Sequence, residues 1–144
     1  MKKLFLLLIV GLLAVLPASA DKYMHSDEAL PQAAKAVLKK NFKSEVSLVK
    51  IEKEFAQIKE YEVIMTDGTE ITFDRQGNWK EVETRNTGSI PVGFVPAGIQ
   101  KYVKANHKDV RIVGIEKSRS GYEIDLSNGI EMKFNSDGDF LRYD

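Results

Sequence analysis

Apolar residues recur at helical spacing in two places along the chain. Leu30, Ala34, Val37, Leu38 and Phe42 form one stripe, and Val95, Ile99, Tyr102, Val103 and His107 form a second. Each stripe predicts a helix, one over about 31–42 and one starting at Pro96. A proline opens both, where its missing N–H would have no partner anyway. Lys35, Lys39, Lys40, Lys101 and Lys104 fall on the opposite faces. After each stripe the pattern changes to alternation. Strands are predicted at 46–55, 60–66, 70–74 and 79–83, then at 110–118, 122–127, 130–135 and 140–143.

The two halves also match residue by residue. Tyr61-Glu62-Val63, Asp67-Gly68, Phe73 and Gly77-Asn78-Trp79 reappear 61 positions later as Tyr122-Glu123-Ile124, Asn128-Gly129, Phe134 and Gly138-Asp139-Phe140. The pattern predicts an α+β fold: a tandem repeat of a helix plus a four-stranded antiparallel meander, the two units forming one domain. The units span 21–86 and 87–144, with 86–94 as linker. Residues 21–29 are polar and are expected to fray.

Turn lengths follow from keeping one face apolar. A two-residue turn at Asp67-Gly68 would set Met65 against Glu70. A three-residue loop, Thr66-Asp67-Gly68 with Gly68 left-handed, instead puts Tyr61, Val63, Met65, Thr69, Ile71 and Phe73 on one face. The same loop in the second half gathers Tyr122, Ile124, Leu126, Ile130, Met132 and Phe134. Loops Arg75-Gln76-Gly77 and Ser136-Asp137-Gly138 then bring Trp79 across from Phe73 and Phe140 across from Phe134.

Residues 1–20 read as a secretory signal peptide. Lys2 and Lys3 precede the apolar run Leu4–Leu16, and Pro17-Ala18-Ser19-Ala20 ends in a small-x-small cleavage pattern. The run falls short of the roughly 20 residues that span a bilayer, so no membrane span is expected after cleavage. Periplasmic or secreted localisation follows. The chain has 21 basic and 21 acidic residues, and two of the lysines lie in the leader, so the mature part carries a formal charge of −2. That charge excludes a nucleic-acid footprint. Without cysteine there is no disulfide, no lipid-anchoring residue and no thiol nucleophile.

No catalytic motif is present: neither HExxH, nor GxSxG, nor a phosphate-binding glycine loop. Of the two histidines, His25 lies in the polar start and His107 ends the second helix, where the dipole favours it. Asn135-Ser136-Asp137-Gly138-Asp139 has oxygen ligands at alternate positions, like the opening of a calcium loop. It also has the residues a bulged hairpin turn requires. No cofactor is called for. The better candidate is the outer sheet face, which alternation furnishes with Glu62, Ile64, Glu70 and Lys80, then Glu123, Asp125, Glu131 and Lys133. It reads either as a solvated face or as a recognition surface. Phe55 and Ile58, in a longer loop over 53–59, either pack on the helix or offer an apolar contact to a partner.

The Leu/Val-Pro helix starts, the Tyr-Glu-Val/Ile strands, the Asp/Asn-Gly turns and the Gly-Asn-Trp and Gly-Asp-Phe strand starts together resemble the PepSY-like family of exported bacterial proteins. That family is similar in fold to the beta-lactamase inhibitor protein. The resemblance covers about Leu30 to Tyr143 and implies a non-enzymatic periplasmic role; related domains are proposed to restrain peptidases. Beta-lactamase inhibition does not carry over, because the loop residues it needs have no match here and that inhibitor is disulfide-bonded. The expectation is an exported binding module for a protein or peptide, with an inhibitor as one version. The alternative is a periplasmic small-ligand or cation-binding sensor, and an enzyme ranks last.

Overall fold

The computed structural model describes residues 21–85 and 88–144; the expected signal peptide over 1–20 lies outside them. Nine strands form one antiparallel sheet in chain order: β1 (Lys22–Met24), β2 (Val46–Glu54), β3 (Gln57–Met65), β4 (Thr69–Asp74), β5 (Trp79–Thr84), β6 (Ile112–Ser118), β7 (Gly121–Leu126), β8 (Glu131–Phe134) and β9 (Phe140–Tyr143). Two ten-residue helices, α1 (Gln32–Asn41) and α2 (Ala97–Asn106), lie between β1 and β2 and between β5 and β6.

This corrects the expected α+β tandem of helix-plus-four-strand units. The described residues are mostly β, with a single continuous sheet and, among them, only two short α-helices. β5 pairs with β6 through Glu81↔Glu116, Val82↔Ile115 and Glu83↔Gly114, so no boundary divides the sheet there. Left as edges, these strands would expose a row of unpaired N–H and C=O groups. Pairing satisfies the groups and makes one core of Val82 and Ile115, both buried. A second difference is β1, formed by a segment expected to fray. It adds to the edge of β2 with Lys22 opposite Ile51 and Met24 opposite Val49.

One sheet face is apolar throughout. Tyr61, Val63, Met65, Thr69, Ile71 and Phe73 are all buried, as are Ile124, Leu126, Met132 and Phe134. Gly68 and Gly129 take left-handed φ values of 87° and 85°, as three-residue loops require. Phe73 pairs with Trp79 and Phe134 with Phe140 across bulged turns. Ala34 and Leu38 on α1, with Leu30 just ahead of it, and Ile99 and Val103 on α2, with Val95 just ahead of it, cover this face. Burial of each large apolar side chain contributes roughly 1.5–3 kcal/mol. The linker also enters the core: Ile90 and Phe94 are buried, and the Phe94 ring sits edge-on to Trp79 at 5.3 Å and 5.9 Å from Phe42.

The expected loop over 53–59 is a hairpin instead. β2 and β3 run on to a two-residue turn at Phe55-Ala56, with both residues left-handed.

Candidate functional site

The face turned away from the helices is built by the strand register. Each cross-strand pair points the same way, so one row crosses the sheet as Lys50, Glu62, Thr72, Glu81, Glu116, Glu123, Lys133 and Arg142. The next row runs Ile64, Glu70, Glu83, Gly114, Asp125 and Glu131. A third, shorter row holds Glu52, Glu60 and Asp74. The rows bring together seven of the expected residues: Glu62, Ile64, Glu70, Glu123, Asp125, Glu131 and Lys133. Lys80, the extra residue of the β4–β5 bulge, joins the face by a 2.9 Å ion pair with Glu60. Phe55 stands apart at the β2–β3 tip, 91 % exposed. Ile58 is half-buried and packs against the core.

Charge is unevenly compensated. At the β1 edge, Lys50 lies 3.4 Å from Glu62 and 3.8 Å from Asp21, and donates a hydrogen bond to Glu52. Burial pulls the Lys50 ammonium down, but the Glu52 hydrogen bond and the charges of Glu62, Glu52 and Asp21 outweigh it and leave its pKa well raised. The same hydrogen bond lowers Glu52. Burial raises Glu62 despite Lys50. Oxygens of Glu52, Glu60 and Glu62 all lie within 4.8 Å of one another.

In the middle of the sheet, burial raises Glu70. Arg85, at 3.1 Å, opposes that shift and Glu83 adds to it. Asp125 is raised by burial and then by Glu131, Glu123 and Glu83. Gly114 explains how Asp125 fits: a Cβ there would come within 2.8 Å of the Asp125 carboxylate. The glycine leaves a hollow in which the carboxylate lies against the sheet. Toward β9, Lys133 bridges Glu123 at 3.8 Å and Asp144 at 2.7 Å.

The face is open. Two shallow clefts of about 440 Å³ lie elsewhere, one beside the β2–β3 tip and one between α1 and the start of β2. Neither histidine reaches the carboxylates: His25 Nδ1 is 3.1 Å from the Ser47 carbonyl, and His107 Nε2 is 3.1 Å from the Tyr143 hydroxyl. In the calcium-like turn, Asn135 Oδ1 accepts hydrogen bonds from the N–H groups of Asp137 and Asp139. Its side chain thus serves as the internal tie of the turn.

Sequence reasoning left out Lys50, Glu52 and Glu60, although alternation around buried Val49 and Ile51 puts Lys50 and Glu52 outward. It also left out Glu81, Glu83 and Glu116, whose adjacency depends on the β5–β6 pairing.

The family profile described as beta-lactamase-inhibitor-like, PepSY-like matches residues 59–142, and the chain belongs to this family. Among solved structures, a Bacteroides vulgatus periplasmic protein of unknown function is 37% identical, with a TM-score of 0.79 over 87% of this chain and 99% of that one. A Bacteroides thetaiotaomicron protein, provisionally named a calcium-regulated periplasmic protein, is 40% identical, with a TM-score of 0.78 over 86% and 96%. A second Bacteroides vulgatus periplasmic protein is 35% identical, with a TM-score of 0.76 over 88% and 98%. No curated protein matches significantly. The chain is a periplasmic or secreted protein. Among the described residues no helix is long and apolar enough to cross a membrane.

Proposed function

We propose that this PepSY-like protein is a non-enzymatic binding module that holds a protein or peptide partner on the outer face of its sheet. One observation carries the reading: the central rows set Glu70, Glu83, Asp125 and Glu131 side by side around the hollow at Gly114, and burial keeps Glu70 and Asp125 above the ordinary carboxyl range. Half-buried like charges cost stability and gain when a cationic group arrives. An open face of this width suits an extended basic segment better than a small molecule, which prefers a concave site. Lys50 on β2 and Lys133 on β8, toward the two edges, with Lys80 near the start of the central strand β5, would fix the register of such a segment. Restraint of a peptidase is one form the binding could take.

The test is capture from periplasmic extract by mature protein, residues 21–144, beside Glu123→Gln/Asp125→Asn and Glu70→Gln/Glu83→Gln. The reading expects one enriched partner, lost with either pair while the melting curve stays cooperative. Equal capture by all three proteins would refute the face assignment.

A second reading, cation sensing, is favoured by the convergence of Glu52, Glu60 and Glu62 and by the name given to the Bacteroides thetaiotaomicron relative. Lys50 already bonds to this group, so a divalent ion would have to displace an ammonium. Calcium that binds only the folded state would raise the melting temperature, and Glu52→Gln would abolish the rise. No calcium-dependent rise in the wild type would remove this reading.

A further inference from the structure

We propose that Tyr102 and Tyr143 form an oxidative modification site, where a one-electron oxidant drawn from hydrogen peroxide joins the two rings as a dityrosine cross-link. The fold brings the pair together across 41 positions of sequence: the Tyr102 hydroxyl on α2 lies 3.4 Å from the Tyr143 hydroxyl on β9. Among the described residues no other two tyrosine hydroxyls meet. Tyr23 lies at the opposite edge of the sheet, Tyr61 is buried, and Tyr122 is half-buried on β7.

The two rings differ in a way that suits coupling. Tyr102 is held: it stacks on Phe140 with centroids 4.5 Å apart and planes 8° from parallel, and meets Phe134 edge-on at 5.5 Å. Tyr143 is 51 % exposed on the edge strand, so an oxidant reaches it and its side chain has room to turn. The hydroxyls also end on a base. His107 Nε2 is 3.1 Å from the Tyr143 hydroxyl. In the tautomer with hydrogen on Nδ1, Nε2 accepts from Tyr143, whose oxygen accepts from Tyr102. The bond to Tyr143 pushes the Tyr102 hydroxyl up to about 12, as expected of the donor.

The chemistry balances on these atoms. Oxidation of Tyr143 sends an electron to the oxidant and the hydroxyl proton to His107 Nε2. A second one-electron step takes an electron from Tyr102, whose proton leaves to water. The two radicals form one C–C bond between the ring carbons that adjoin the hydroxyl-bearing carbons. Each of those carbons then gives up its hydrogen to its own ring oxygen, which restores both phenols. Two electrons and two protons leave in all, and one hydrogen peroxide takes them to become two waters. Because the bonding carbons adjoin the oxygens, two phenols with hydroxyls in contact already hold those carbons near one another. The product ties edge strand β9 to α2. A chain without cysteine has neither a disulfide to do this nor a thiol to consume the oxidant first. The site does not depend on the partner-binding reading, since it shares no residue with the outer face.

The test treats mature protein, residues 21–144, with a haem peroxidase and hydrogen peroxide at high dilution, where molecules rarely collide. Dityrosine fluorescence should appear in the monomer, with a mass lower by two hydrogens and a peptide link between Tyr102 and Tyr143. Tyr102→Phe and Tyr143→Phe keep their rings and should each lower the monomer fluorescence at least about ten-fold, whereas Tyr23→Phe should stay within about two-fold. His107→Ala should slow the coupling at least about ten-fold, and imidazole added to that variant should restore the rate. The cross-linked monomer should melt about 5 °C or more above the untreated protein, because the bond closes a long loop. The proposal is overturned if free tyrosine couples under these conditions while the protein does not, or if dityrosine forms only in covalent dimers. It is also overturned if the link joins another pair, or if either phenylalanine variant yields as much. Equal rates for wild type and His107→Ala would remove the histidine from the site.

Discussion

Asp125→Asn is expected to stabilise the folded protein at neutral pH. The Asp125 carboxylate is half-buried in the hollow at Gly114, directly opposite Glu131 and near Glu123 and Glu83. Asparagine has nearly the same shape, so the hollow stays filled and only the charge goes. A facing carboxylate at about 5.5 Å repels by roughly 0.8 kcal/mol even at the dielectric of water. Partial burial adds to this and screening subtracts, so the expected gain is about 1 kcal/mol, or roughly 3–6 °C in melting temperature for a chain of this size. The pH dependence identifies the cause. The folded protein holds the Asp125 proton more tightly than the unfolded chain does. Between the ordinary carboxyl pKa and the raised value, the folded state binds more protons, so stability falls as pH rises through that interval. The advantage of Asp125→Asn should therefore be full at pH 7 and vanish below the ordinary carboxyl range. Urea unfolding at pH 7 and pH 3.5, followed by Trp79 fluorescence, measures it. A destabilised variant at pH 7, or an equal gain at both pH values, would refute the reasoning.

Phe94→Ala should cost about 3–5 kcal/mol, since it empties the space between Trp79 and Phe42; denaturant unfolding reads the loss. Lys50→Ala leaves Glu52, Glu62 and Asp21 around a missing cation and should cost about 1–3 kcal/mol at pH 7. The loss should shrink as pH falls through the carboxyl range, which a pH series of thermal melts would show. Gly77→Ala and Gly129→Ala separate backbone strain from collision. Both glycines are left-handed, but a Cβ at Gly77 would meet the Ala34 backbone nitrogen and Pro31 at 2.9 Å, while at Gly129 it meets nothing. Gly129→Ala should cost about 1 kcal/mol and Gly77→Ala clearly more.

What the sequence made legible was local. Alternation across Thr66-Asp67-Gly68 and Ser127-Asn128-Gly129 fixed the loop length, and with it which side chains share the apolar face. Pairings without a short connecting turn were hidden. Twenty-seven residues separate the end of β5 at Thr84 from the start of β6 at Ile112, and nothing in either strand names its neighbour, so two meanders were expected where one sheet forms. β1 is three polar-flanked residues with no period of its own and is ordered only by the edge of β2. Phe55-Ala56 carries none of the usual letters of a tight turn, so the projecting hairpin read as a loop. On the outer face, alternation supplied most of the members, but their arrangement into rows, and the hollow that Gly114 makes for Asp125, required the register.

The central claim is that the outer sheet face is the surface that meets a partner. Site-specific photocrosslinking in exporting cells tests it most directly, with a benzophenone side chain at Glu116, exposed in the middle of the face, and at Lys101, exposed on α2. The account predicts a discrete adduct from Glu116 and none from Lys101. Adducts from Lys101 alone, or from neither position, would contradict it.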